Sequence, residues 1–172
     1  MSRTLWTLFA AALLVAGVVT AAILWRQDVT VSSAAQASDV VFVDGGGGVA
    51  GFATVSVGGS GTSATLTLTG VSGAELQVTD LLQIQNTDAT QAYSVTLKRS
   101  AAPDAAITGL TFTVLDGSTP IKTFDAAAAA SATAFTLPVS TTYDIQIDMV
   151  VADGTAAGSL GSFDLQFEIV AA

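Results

Sequence analysis

Short runs in which apolar and polar residues alternate fill the chain from residue 39 onward, and most are closed by a turn containing glycine or aspartate. In Tyr143–Val151 (YDIQIDMVV) and Phe163–Val170 (FDLQFEIV), apolar residues occupy every second position and acidic residues stand between them. Period two is typical of half-buried strands, and acidic outer faces exclude a fully buried parallel sheet. The pattern predicts an all-β fold, an antiparallel β-sandwich of the jelly-roll type formed by residues 34–172.

About nine strands are predicted in this sandwich. Asp116-Gly117 is a typical hairpin turn, and Asp153-Gly154 separates the last two strands. Ala126–Ala134 (AAAAASATA) interrupts the series and is interpreted as a loop or a single helical turn. The predicted strands are Val40–Val43, Phe52–Val57, Ala64–Thr69, Leu76–Ile84, Tyr93–Lys98, Leu110–Leu115, Ile121–Phe124, Tyr143–Val151 and Phe163–Val170.

An apolar run at the start of the chain predicts export from the cytoplasm. Leu5–Trp25 has no charged residue over about 21 positions, enough to span a bilayer as a helix. Arg3 precedes the run and Thr20-Ala21-Ala22 resembles a signal-peptidase site, so residues 1–22 are interpreted first as a cleaved signal peptide. A retained anchor helix and a pilin-like helix that forms a filament core are the alternatives. The predicted location is extracellular or on the cell surface, with transient membrane contact during secretion.

Residues 23–33 alternate like a strand but have no hairpin partner beside them. Leu24 is the apolar exception on the polar face, and a small-residue spacer, Ser33–Ser38 (SAAQAS), follows without a tight-turn dipeptide. We predict a donor strand that completes the sheet of another copy; a strand that folds back into its own sheet is the alternative. Four inserted apolar side chains would contribute about 6–12 kcal/mol before the entropy of association is subtracted. The apolar residues of one face are Ile23, Trp25, Val29 and Val31.

Composition narrows the possible functions. The chain of 172 residues has no cysteine and no histidine, which excludes disulfides, thiol catalysis and the usual zinc sites. A net charge of −9 with five basic residues disfavours nucleic acid as a partner. We therefore predict a protein that is not an enzyme, with no catalytic residues, no cofactor and no metal site.

Charged side chains leave two alternatives open. Four acidic residues of the last two predicted strands form either a solvated outer face or a paired-carboxylate glycosidase site. Lys98-Arg99, the basic doublet, is predicted to pair with that acidic face on a neighbouring copy. Asp44 with Gly45–Gly48 is interpreted as a flexible turn rather than a phosphate-binding loop, and Asp116 and Asp153 as turn residues before cation ligands. The four acidic residues are Asp144, Asp148, Asp164 and Glu168.

The order of these segments resembles the TasA/camelysin family of bacterial matrix fibre proteins and their archaeal bundling-pilus relatives. The small residues Thr20-Ala21-Ala22, the strand Ile23–Val31 and the segment Ser38–Asp44 (SDVVFVD) follow one another as in that family. Leu66–Asn86 is similar to the family's strand, glycine turn and long strand, and the chain closes in two paired strands, Tyr143–Val151 and Phe163–Val170. The Arg26/Asp28 pair and the scarcity of lysine depart from the bacterial members and favour an archaeal pilus relative.

This resemblance implies a jelly-roll subunit that is secreted and polymerised head-to-tail by donor-strand complementation. It implies extracellular filaments that bundle laterally in a biofilm matrix, with copies of the same chain as partners. The subunit interface would then contain Ile23, Leu24, Trp25, Val29 and Val31. A membrane-anchored cell-surface β-sandwich domain and a pilin with a helical filament core are the alternative functions.

Overall fold

The computed structural model describes residues 24–35, 39–48, 52–99, 101–132, 134–155 and 158–172. The predicted signal or anchor, residues 1–22, lies outside this part of the chain. All described regular structure is β, as the alternation predicted. The strands are β1 Leu24–Ala35, β2 Val40–Asp44, β3 Ala53–Val57, β4 Ser63–Val71, β5 Glu75–Asn86, β6 Tyr93–Arg99, β7 Ile107–Asp116, β8 Thr119–Asp125, β9 Phe135–Leu137, β10 Thr142–Val151 and β11 Gly158–Ala171.

Two sheets form a sandwich. Sheet A has six strands in the order β3-β4-β1-β11-β6-β9, and sheet B has five in the order β2-β5-β10-β7-β8. Among the described strands, β1 and β11 form a parallel pair, and all other neighbours are antiparallel. The β-sandwich prediction is therefore confirmed.

The core lies between the sheets and follows the predicted alternation. In β10, Tyr143, Ile145 and Ile147 are buried, whereas Asp144 and Gln146 are half-buried on the outer face. Phe42 of sheet B meets Phe167 of sheet A edge to face, with ring centroids 5.0 Å apart. Every second residue of these strands is apolar and faces inward, so the strands share a continuous core. Their outer faces remain polar.

The last two long strands do not pair with each other. β10 lies between β5 and β7 in sheet B, while β11 lies between β1 and β6 in sheet A. The predicted pairing of Tyr143–Val151 with Phe163–Val170 is therefore wrong. Alternation shows which residues of a strand face the core, but it does not show to which of the two sheets the strand belongs.

The alanine-rich stretch 126–132 crosses from sheet B to sheet A without a helix. It runs along the edge of β6, where Arg99 N donates to Ala130 O and Ala132 N to Leu97 O. The Arg99 guanidinium also donates to the carbonyl oxygens of Ala126 and Ala127. The stretch therefore covers a sheet edge that β9, only three residues long, leaves open.

Glycines 45–48 pack against an irregularity in β5. Asp80 has a φ of 56°, and the pairing of β5 with β10 shifts in register there. Gly47 N donates to Asp80 O at 2.6 Å, and a Cβ on Gly47 would lie 2.2 Å from Thr79 O. The run is thus a close backbone contact, consistent with the turn predicted for it.

Candidate functional site

The strongest candidate site is the position of β1 within sheet A. β1 lies between β4, to which it is antiparallel, and β11, to which it is parallel. We call the gap between β4 and β11 the slot. The first described strand therefore fills the interior of a sheet, with a backbone partner on each side, rather than extending its edge.

In this single chain the slot is filled by the chain's own β1. The predicted donor strand has no partner in its own molecule, and the alternative prediction is a strand that folds back into its own sheet; this single chain has the folded-back arrangement. The partners could not be read from neighbouring residues, because β4 begins 28 positions after β1 ends and β11 begins 123 positions after it. Both pairings are long-range.

Val31 is the predicted interface residue whose surroundings are described most fully. Its side chain is completely buried, while Thr30 beside it is half-buried. Register places Val31 opposite Ala64 on one side and Leu165 on the other, and both of these side chains are buried. The predicted alternation is thus confirmed at these two residues, with Val31 inside the core.

The other predicted interface residues are placed only by the backbone. Register sets position 29 opposite Leu66, which is fully buried, and position 25 opposite Gly70. The side chains of Leu24, Trp25 and Val29 lie outside the described part of the structure, as does the whole of Ile23.

β11 contains a register irregularity where it meets the first half of β1. Arg26 pairs with Ser159 and Asp28 with Ser162, so β11 has one more residue than β1 over this step. Glycine and serine are frequent in this segment, GSLGS at 158–162, and glycine is a common bulge residue. The acceptor side of the slot, formed by β4 and β11, is the part that sequence reasoning did not identify, although the Gly-Ser segment was a signal for it.

The link between β1 and the body is short. β1 ends at Ala35 in sheet A and β2 begins at Val40 in sheet B, so the residues between them carry the chain across the sandwich. Stacked sheets are about 10 Å apart, and the five Cα–Cα steps from residue 35 to residue 40 span at most about 18 Å. The connection is therefore short, but it is long enough for β1 to occupy its own slot.

The acidic residues proposed for a paired-carboxylate site are divided between the two sheets. Asp144 and Asp148 belong to β10 in sheet B, whereas Asp164 and Glu168 belong to β11 in sheet A. Gln83 Nε2 donates to Asp144 Oδ1 at 2.8 Å, and Gln77 Nε2 to Asp148 Oδ1 at 2.6 Å. The four carboxylates are not one cluster, so the four-residue glycosidase alternative is wrong.

The basic doublet is engaged within its own chain. Lys98 forms an ion pair with Glu168 on the outer face of sheet A, and Arg99 binds the alanine stretch described above. These partners in the same molecule would compete with the predicted contact between Lys98-Arg99 and the acidic face of a neighbouring copy.

Several turn aspartates accept hydrogen bonds from their own turns. Asp44 Oδ1 accepts from Gly46 N, Asp125 Oδ1 from the N–H groups of Ala127 and Ala128, and Asp153 Oδ1 from Gly154 N. This is the turn role expected for aspartate followed by glycine or small residues. Over the described ranges, no group of three or more acidic side chains is arranged to hold a metal ion.

Among the described side chains, three ionisable groups have shifted pKa values: Asp88, Tyr93 and Tyr143. The backbone N–H of Thr90, followed by its hydroxyl and the N–H of Gln91, lowers the pKa of Asp88. Burial raises the pKa of Tyr93, assisted by the charges of Asp88 and Asp39, and burial likewise raises the pKa of Tyr143. All three shifts have local structural causes.

Comparison with known proteins adds no relative. No protein-family model matches the chain, and no curated protein matches it significantly. The resemblance to matrix fibre proteins therefore stays a prediction based on the residues quoted for it. In the part of the chain that the structure describes, no helix has the length and hydropathy needed to cross a bilayer.

Proposed function

We propose that the protein is a structural subunit of an extracellular filament, a pilus or biofilm matrix fibre, in which β1 of one copy fills the slot of the next. The observation that supports this most directly is the place of β1, a strand near the start of the chain inserted between β4 and β11 in the interior of a sheet. A terminal strand on a short link is the kind of element that copies exchange in domain swapping. The role is structural, and the proposal assigns no catalytic residues and no cofactor.

Exchange would preserve the contacts of the closed monomer. A donated strand would bury Val31 against Ala64 and Leu165 just as the chain's own strand does. The balance between the two forms then depends on the entropy of association and on protein concentration. Donor and acceptor surfaces differ, so the contact is heterologous and can propagate into an open filament with jelly-roll subunits.

A second candidate is a self-contained sandwich domain displayed on the cell surface by a retained apolar segment. The pairing of β1 within its own chain favours this candidate, because such a domain needs no other copy. The two functions differ in which molecule supplies β1.

An engineered disulfide distinguishes them. Thr30 and Thr65 are directly opposed in the β1–β4 pair, and the chain has no natural cysteine. Opposed residues on antiparallel strands have Cβ atoms about 4.5–5.5 Å apart, close to the distance in a disulfide. The T30C/T65C protein is secreted, allowed to assemble, oxidised and run on a non-reducing gel.

Strand exchange predicts a ladder of covalent multimers that reducing agent collapses to monomer. Oxidation before assembly should lock β1 in its own slot and prevent filaments. The control is T54C/T67C, an opposed pair within the β3–β4 hairpin, which should form only intramolecular disulfides. If T30C/T65C is oxidised only after the assembly step, becomes fully cross-linked and still runs as a monomer, the filament proposal is rejected and the displayed domain is favoured.

A further inference from the structure

The outer face of sheet A is rich in hydroxyl groups. Serine and threonine side chains from β3, β4, β1, β6 and β9 are exposed or half-buried there, opposite the buried residues of the same strands. We call this surface the hydroxyl face. Its residues include Thr30, Thr54, Ser56, Thr65, Thr96 and Thr136.

The most exposed large hydrophobic side chain among the described residues also lies on this face. Val170 of β11 is 58 % exposed and pairs in register with Ser94 of β6. Its chain neighbour Ile169 is buried in the core, so the outward direction of Val170 follows from the strand's alternation. Threonine methyl groups and Val170 make the hydroxyl face less hydrophilic than a charged surface.

Charge distinguishes the two outer faces of the sandwich. On the hydroxyl face Lys98 and Glu168 form an ion pair, so their charges neutralise each other. The strand register also places the backbone positions of Arg26, Asp28 and Asp164 on this face. The outer face of sheet B carries acidic residues without a lysine or arginine among its described side chains; these acidic residues are Glu75, Asp80, Asp144 and Asp148. In a chain of net charge −9, the hydroxyl face is the one that can approach its own copy with little repulsion.

We propose that the hydroxyl face is the lateral contact of the assembled protein and packs against the same face of a copy in a neighbouring filament. This inference rests on the proposed function. β1 lies in the middle of sheet A, so the face is continuous only when the slot is filled. In a filament, each hydroxyl face would combine the donated strand of one copy with the body of the next.

The area of the hydroxyl face explains why this lateral contact would be stable between filaments but not between single subunits. Six strands at a spacing of about 4.8 Å, with strands of roughly 20 Å, give a face of about 600 Å². Stable protein pairs bury about 800 Å² per partner, so two monomers meeting through this face should not stay together. Filaments repeat the contact many times, and this multivalency makes a weak lateral contact effective.

Charge-introducing variants test the proposal. V170E and T54E each place a carboxylate on the hydroxyl face, and neither residue pairs with β1. V139E makes the same change at another exposed valine, in the turn after β9, and T123E does so on an exposed threonine of β8 in sheet B. All four have the same net charge. Filament width and bundle width are measured by electron microscopy, and circular dichroism of the monomers checks folding.

We expect single filaments of normal width from all four variants. V170E and T54E should lose most of their bundles at low salt and regain them near about 1 M salt, where the Debye length falls to about 3 Å. V139E and T123E should bundle like the unmodified chain. Unchanged bundling of both V170E and T54E, or equal loss in all four variants, would overturn the assignment of this face. Absence of filaments from the unmodified chain would instead reject the proposed function itself.

Discussion

Replacing Val31 with aspartate tests whether β1 fills the slot in solution. Val31 is completely buried and is opposed by buried residues on both neighbouring strands. Loss of its burial costs about 1.5–3 kcal/mol, and an unpaired carboxylate in the core costs several kcal/mol more. We expect V31D to lower the free energy of unfolding by about 4 kcal/mol or more, which is a large part of an ordinary domain's stability.

The matched control is V170D, the same substitution on the neighbouring strand of the same sheet. Val170 is 58 % exposed, so its replacement should change stability by no more than about 1 kcal/mol. The difference between the variants should appear as a fall in Tm of roughly 8–16 °C for V31D relative to V170D.

Urea unfolding can follow the strand itself. The chain has two tryptophans, and Trp25 is the one that remains in a protein starting at residue 23. Fluorescence of Trp25 reports on β1, and far-ultraviolet circular dichroism reports on both sheets. V31D should also fail to form filaments. If V31D unfolded within about 1 kcal/mol of V170D, the argument that β1 is an integral sheet strand would be refuted.

Three further outcomes are expected. N86A should lower the free energy of unfolding in urea by about 2–3 kcal/mol, because Asn86 is buried and donates to Gln91 O and Pro138 O at 2.8 Å each. A loss under about 0.5 kcal/mol would show that these hydrogen bonds are replaceable. G47A should destabilise the protein because its Cβ would meet Thr79 O, whereas G59A, with nothing within 4 Å, should have little effect on Tm; equal effects would contradict the close contact with β5. The lowered pKa of Asp88 stabilises the folded state above the carboxyl's ordinary pKa of 3.8, and this contribution disappears as pH falls through the lower folded-state value. D88N should therefore lose less stability than the unmodified chain between about pH 5 and pH 2, and parallel acid-denaturation curves would contradict this assignment.

Strand positions and faces could be predicted from the sequence where the signal is local. Alternation correctly separated Tyr143 and Ile145 from Asp144, and Asp116-Gly117 correctly marked the β7–β8 hairpin, in which Gly117 has a φ of 57°. Both signals arise within a few residues, from the pleat and from the positive φ that glycine tolerates.

Sheet membership could not be predicted in the same way. β10 and β11 have equivalent patterns, yet they belong to opposite sheets, and β9 is too short to alternate visibly. The partners of β1 depend on contacts between distant parts of the chain, which no local pattern specifies. The alternation of β1 showed that it needs a sheet, but the slot between β4 and β11 appears only when the whole topology is known.

The parallel pairing of the first and last described strands determines how the molecule would respond to a pull. Trp25 lies beside Gly158 and Ala35 beside Ile169, so the start of β1 and the end of β11 lie at opposite poles of the parallel pair. Tension applied at the two poles would slide β1 along β11 and load all hydrogen bonds between them together, rather than peeling them one at a time. A sandwich connected in this way is suited to carry load along the axis of these strands.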